Sequence, residues 1–274
     1  MAHTTDQFLA AGGTTIFTQT WIPPHPTAVV VLSHGFGEHS GRYAHVAQAL
    51  NSASYAVAAL DHRGHGRSGG KRALLTDISQ LGADLAMFRD EVAKHHDLPQ
   101  VLLGHSMGGA VVIDHLVGDH APVSAVVLSA PYLRNAAPIP ELLKKLAPII
   151  GRFFPSAPTQ KLDADLVSRD PAVVKAYEDD PLVFHGAIPA GTGAALLALE
   201  HELLPRMGQI TEQTLILHGV DDQLAAVSAS REAAAAMGSQ VELKTYEGMY
   251  HEIFNESEQE QVLADLVGWL KDTL

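Results

Sequence analysis

The chain contains no cysteine. A disulfide scaffold, a thiolate zinc site and a cysteine nucleophile are therefore excluded, and the fold must hold by packing alone. Charge is sparse as well, 18% of residues against 46% hydrophobic, which is the balance of a globular chain and not of a disordered one. Basic residues are the scarcer sign: 18 Lys and Arg face 31 Asp and Glu, for a net charge of −13. No run of Lys or Arg forms a nucleic-acid footprint, so no nucleic-acid partner is expected, and the acidic balance favours neutral substrates over anionic ones. No apolar stretch approaches the ~20 uninterrupted residues of a membrane-spanning helix. The first residues, MAHTTDQFLA, show neither a basic nor an apolar signal region. The expectation is a protein of the cytoplasm, with peripheral contact at a membrane or cell envelope.

What is present is an alternation. Residues 29–33 (VVVLS), 55–60 (YAVAAL), 101–104 (VLLG), 123–129 (VSAVVLS), 214–218 (TLILH) and 241–246 (VELKTY) read as strands. Most are continuous apolar runs, as strands buried on both faces of a parallel sheet require. Helical stretches lie at 39–52, 78–94, 107–118, 229–237 and 258–270. The pattern predicts an α/β fold with a mostly parallel, doubly wound sheet. Residues 8–21 read as a hairpin around Gly12-Gly13, adding antiparallel strands at one edge. From Tyr132 to about Arg206 no strand run is visible and prolines recur, from Pro138 to Pro205. This interval predicts a helical cap (132–206) inserted into a core of 1–131 and 207–274, lying over the sheet edge where ligands bind in open α/β sheets.

Gly104-His105-Ser106-Met107-Gly108 fits G-x-S-x-G, after a strand and before a helix, the context the motif requires. A sharp turn there lifts the hydroxyl of Ser106 out of the sheet, and the residues two before and two after must be tiny. The expectation is a serine nucleophile in an α/β-hydrolase fold. A serine needs a histidine to take its proton. In this fold the order is Ser, then Asp or Glu, then His. Beyond the cap only His218 and His251 remain, and His251, in a loop after the strand at 241–246, holds the expected base position. The segment HGVDDQ (218–223) offers Asp221 and Asp222; the HGxxD spacing favours Asp222, with Asp221 as fallback. The loop His34-Gly35-Phe36-Gly37-Glu38 supplies an oxyanion-hole donor, the backbone N–H of Phe36, beside that of Met107. His34 braces this loop. Asp61-His62-Arg63-Gly64-His65-Gly66 imitates a metal site, but a Gly-rich loop lacks fixed ligand spacing; a hydrogen-bonded loop is expected and no metal.

HGFGEHSGRY (34–43), DHRGHGRSGGKR (61–72), GHSMGG (104–109), LSAP (128–131), SRDPAVVKAYEDDPLVFHG (168–186), HGVDDQL (218–224) and YEGMYHEIFNE (246–256) resemble monoacylglycerol lipases, especially actinobacterial ones, along the whole chain. The resemblance implies hydrolysis of monoacylglycerol to glycerol and fatty acid without metal or organic cofactor. It implies Ser106, Asp222 and His251 as the triad. It also implies Glu38 and Arg42 near the glycerol end of the pocket, with Tyr177 contributing from the cap. A structural ion pair is the competing reading of Glu38 and Arg42. The alternatives for function are a lysophospholipase or general carboxylesterase, and a non-catalytic ligand-binding protein on a hydrolase scaffold. The chain is expected as a monomer or homodimer.

Residues 138–154 (PIPELLKKLAPIIGRFF) place Ile139, Leu142, Leu143, Leu146, Ile149, Ile150, Phe153 and Phe154 on one helical face, with Lys144, Lys145 and Arg152 off it. Pro148 is expected to kink or split the helix. Two readings compete: a lid that makes transient contact with lipid surfaces, or an apolar face wholly buried on the core. The Leu-rich stretch 194–204 is expected to form a second wall of an acyl tunnel.

Overall fold

A computed structural model describes residues 2–274. The antiparallel hairpin β1 (Ala2–Ala10) and β2 (Thr14–Ile22) opens the chain. Then follow β3 (Ala28–Ser33), α1 (Ala44–Ser52), β4 (Tyr55–Leu60), α2 (Ile78–His95), β5 (Gln100–His105), α3 (Met107–Leu116) and β6 (Ala125–Ser129). After a long excursion of α4 (Glu141–Phe153), β7 (Pro158–Lys161), α5 (Pro171–Asp179), β8 (Ala187–Pro189) and α6 (Ala190–Glu202), the sheet resumes. It closes with β9 (Thr214–Gly219), α7 (Val227–Met237), β10 (Val241–Tyr246) and α8 (Gln259–Thr273). The eight-stranded sheet has the order β1-β2-β4-β3-β5-β6-β9-β10, and all pairings from β4 to β10 are parallel.

The apolar runs form these strands because both of their faces are covered. Side chains alternate across a strand. Val29 and Val31 therefore join Leu102 on the face covered by α2, α3 and α7, while Val30 and Leu32 join Leu103 on the face covered by α1 and α8. Asp77 caps α2 by accepting from the Ser79 N–H, and Asp170 caps α5, where Pro171 stands at the first turn.

Three expectations are corrected. The helix expected from residue 39 begins as a 3₁₀ turn, Ser40–Tyr43, because the His39 side chain accepts from the Gly41 N–H and turns the chain before α1 starts. The interval 132–206 is not wholly helical: β7 and β8 pair in a separate two-stranded sheet. Residues PTQK of β7 are exposed, so no apolar run announces them. Finally, of the kink or split expected at Pro148 the split does not occur: α4 runs from Glu141 to Phe153 as one helix.

The hairpin, the core strands and the α/β alternation otherwise match the reading of the sequence. α4 lies against α6, where a Cβ on Gly151 would stand 2.7 Å from that of Ala194. Its apolar face is not wholly buried. Leu142 is 69% exposed and Phe153 68%, while Leu143, Ala147 and Ile150 border a cavity. No helix among the described residues is long and apolar enough to cross a membrane.

Candidate active site

Ser106 sits between β5 and α3 with φ 51° and ψ −119°, a left-handed conformation that costs a residue with a Cβ. The strain is held in place by bonds around it. Its N–H donates to Ser129 O at 3.0 Å, and its carbonyl accepts from the N–H of Tyr132 at 3.0 Å. The motif glycines are steric necessities. A Cβ on Gly108 would lie 2.0 Å from Ser33 O, and one on Gly104 2.5 Å from Gly108 O, backbone contacts that cannot yield. Gly108→Ala is accordingly expected to destabilise the protein by about 3 kcal/mol or more, the upper range of overpacking, read as a lower urea midpoint at unchanged m.

The loops after β9 and β10 bring the other candidates together. Asp222 is buried, and its Oδ1 accepts from the N–H groups of Leu224 (2.7 Å) and Ala225 (3.0 Å). His251 Nδ1 donates to Asp222 Oδ2 at 2.7 Å. Burial opposes ionisation of Asp222, but the adjacent His251 and His218 outweigh it and hold the carboxyl well below the carboxylate range. Burial likewise opposes a charged His251, yet Asp222 wins and raises its pKa above 6.5. Asp221 is exposed, and its N–H donates to Met249 O, tying the loop after β9 to the loop after β10. Ser106 and His251 line the same cavity, although no hydrogen bond joins them among the described residues; such contacts commonly tighten only when substrate is bound.

Phe36 and Met107 also line this cavity, and neither backbone N–H is engaged by an acceptor among the described residues. The Phe36 loop is held from both sides: Gly35 N–H donates to Glu38 Oε1 at 2.7 Å, and Phe184 N–H donates to Gly37 O at 2.7 Å. Gly37 has φ 80°, which explains a glycine there.

Glu38 and Tyr177 border the cavity; Arg42 stands behind them. Its guanidinium donates to Glu38 (2.8 Å) and in a fork to Glu252 (2.6 and 2.7 Å), and lies 4.9 Å from the Tyr177 ring. Tyr43 Oη donates to Glu38 Oε1 at 2.6 Å. Glu252 and Tyr43 escaped the sequence reading. The only signal for Glu252 is its adjacency to His251, and nothing in the local pattern shows that it reaches Arg42.

Asp61 accepts from the Ser40 and Arg67 N–H groups at 2.8 Å, and His62 Nε2 meets Ser33 Oγ at 2.9 Å. His34 spans two loops, donating to Gly35 O at 2.7 Å and accepting from the His62 N–H at 2.9 Å. No group able to hold a metal occurs among the described residues. His105 meets Ser129 Oγ at 3.1 Å, its ring 4.8 Å from that of His251; burial lowers its pKa to about 4.

The cavity is about 520 Å³. Its wall includes Glu38, Ser106 and His251 together with Leu143, Ile150, Leu196 and Leu197 of α4 and α6.

This sheet, this crossover order and the serine turn at the end of β5 make the fold that of the α/β hydrolases. The family model described as serine aminopeptidase, S33, matches residues 24–258. The chain is 44% identical to a monoacylglycerol lipase of Mycolicibacterium smegmatis over 96% of its own length and 95% of the relative's. It is 32% identical to human monoglyceride lipase, covering 90% of this chain and 82% of that one. The crystal structure of the Paleococcus ferrophilus monoacylglycerol lipase superposes with a TM-score of 0.85 at 30% identity, over 94% of this chain and 99% of that one. The chain belongs to the serine aminopeptidase, S33, family and, by identity over nearly its whole length, to the family of the monoacylglycerol lipases, as its motifs led one to expect.

Proposed function

We propose that this protein hydrolyses monoacylglycerol to glycerol and free fatty acid through an acyl-enzyme on Ser106. The observation that carries this reading is that the strained Ser106 and His251, which is held by Asp222, line one cavity whose wall also carries apolar side chains of α4 and α6. His251 takes the Ser106 proton as the hydroxyl attacks the ester carbonyl. The oxyanion forms between the free N–H groups of Phe36 and Met107, at the N-terminus of α3. His251 then protonates the departing glycerol and activates the water that clears the acyl-enzyme. Glu38 and Tyr177 offer hydrogen bonds to glycerol, and Arg42 holds Glu38 in position. The test is fatty-acid release from monoolein against lysophosphatidylcholine and a methyl ester. The highest kcat/KM is expected for monoolein; a higher one for lysophosphatidylcholine would overturn the assignment.

The pH dependence follows from His251. The base must be neutral, and Asp222 raises its pKa. The kcat/KM profile should therefore fall on acidification with a midpoint above 6.5, the ordinary histidine value.

Residues 132–206 act in this reading as a cap on a core of 1–131 and 207–274, and α4 as a lid at a lipid surface. Its exposed Leu142, Ile149 and Phe153 enter the interface while Lys144, Lys145 and Arg152 stay near headgroups. Leu142→Asp with Phe153→Asp is expected to lower the rate on vesicle-borne monoolein about tenfold and to leave hydrolysis of a soluble short-chain ester unchanged. Equal losses on both would refute interfacial contact.

A further inference from the structure

Asp222 has a second histidine on it. His218, at the end of β9, is fully buried. Its Nε2 lies 3.1 Å from Asp222 Oδ2, the oxygen that also receives the His251 N–H, and 3.1 Å from Ala225 O. Both neighbours are acceptors, so Nε2 must carry the proton. Nδ1 lies 2.8 Å from the hydroxyl of Ser230, a fully buried residue of α7 whose side chain has no other partner among the described residues. Ser230 therefore donates to Nδ1 and locks the tautomer that aims Nε2–H at Asp222.

A histidine serving the core alone would need any two partners. This one completes the coordination of a carboxylate: two backbone N–H groups on Oδ1, two imidazole N–H groups on Oδ2. Two consequences follow. The carboxylate plane is fixed from β9 and α7, independently of the loop that carries His251. And Oδ2 divides its negative charge between two donors, so His251 feels less of it than it would feel alone.

We propose that His218, oriented by Ser230, is a positioning residue that fixes Asp222 and governs how tightly Asp222 holds His251. This rests on the reading of Ser106, Asp222 and His251 as the triad. The groups facing His251 are Asp222 after β9, His105 at the end of β5, Glu38 after β3 and its neighbour Glu252, which is tied to Arg42. Only Asp222 is touched directly by His218.

The test uses a soluble p-nitrophenyl ester, which reports on the triad whatever the natural acyl group. The pair His218→Leu with Ser230→Ala removes the donor without leaving a buried hydroxyl unpaired. Expected are a kcat about ten- to hundredfold lower, the scale of one lost charge-assisted hydrogen bond, with KM unchanged. The acid limb of kcat/KM should move to higher pH, since Asp222 is then shared with nothing but His251. His218→Gln, which keeps a donor, should recover part of both. A folded double variant with unchanged kcat and an unmoved acid limb would overturn the proposal. A second measurement needs no variant: ¹⁵N-histidine NMR of the wild type should show the His218 proton on Nε2, and a proton on Nδ1 alone would overturn it too. A wild type that neither cleaves the ester nor labels at Ser106 with a fluorophosphonate sinks the triad reading itself. An active, labelled wild type with indifferent variants sinks only the role of His218.

Discussion

Ser106→Ala is expected to lower ester hydrolysis by about 10⁶-fold, the scale of deleting a serine nucleophile from a triad, while the protein stays folded. The size of the loss comes from covalent chemistry. Without the Oγ no acyl-enzyme forms, and the remaining catalysis is what the Phe36 and Met107 N–H groups and the cavity supply by holding the ester. Substrate binding should survive, because alanine removes one atom from a cavity of about 520 Å³ whose apolar part is made by α4 and α6. The variant also tests the backbone. Ser106 keeps φ at 51° because its N–H and carbonyl are tied to Ser129 and Tyr132. Alanine carries the same Cβ and therefore the same strain. Ser106→Gly relieves it and should gain about 1 kcal/mol in urea unfolding, the low end of such strain, at the same loss of activity. An alanine variant that still releases fatty acid at the wild-type rate would remove Ser106 from the chemistry.

Asp222→Asn is expected to cost about 10⁴-fold in kcat, as an isosteric amide does where it replaces a carboxylate behind a catalytic histidine. The amide fills the same space and can still accept from Leu224 and Ala225. What it loses is charge. In the wild type, burial alone would drive His251 toward its neutral form, and Asp222 reverses that. With asparagine, the largest charge opposing burial is gone, Glu252 and Glu38 alone remain, and the His251 pKa falls. The sign is then definite: whatever activity remains should persist to lower pH than in the wild type, with the acid limb of kcat/KM shifted down. The amide NH₂ would also confront two imidazole N–H groups, those of His251 and His218, where the carboxylate oxygen accepted both. For His251 to accept from the amide its proton must move to the other ring nitrogen, which removes the base from Ser106. Stopped-flow kcat across pH for both proteins measures the two effects together. A variant within tenfold of the wild type would mean that Asp222 does not orient His251.

Much of this was legible in one dimension. The buried strands were visible because a strand covered on both faces is built from a continuous apolar run, and 55–60 falls on β4 residue for residue. Ser106 was visible because its turn admits only small neighbours, a local steric demand that leaves glycines at fixed spacing. The order of Asp222 and His251 follows from the order of the strands that carry them. The tertiary structure decided what depends on distance through space. β7 is exposed and β8 is three residues long, so neither marks the sequence, and their pairing joins segments far apart in the chain. Pro148 marked a kink or a split, and α4 runs through it without splitting, packed on α6 at Gly151. Glu252 is separated from Arg42 by 210 residues, and His218 shares one oxygen of Asp222 with His251, 29 residues beyond that aspartate. Such partners leave no periodicity to read. A side chain's partner is fixed by the packing of elements far apart in the chain, whereas its tolerance for a turn or a buried strand is fixed by its own atoms.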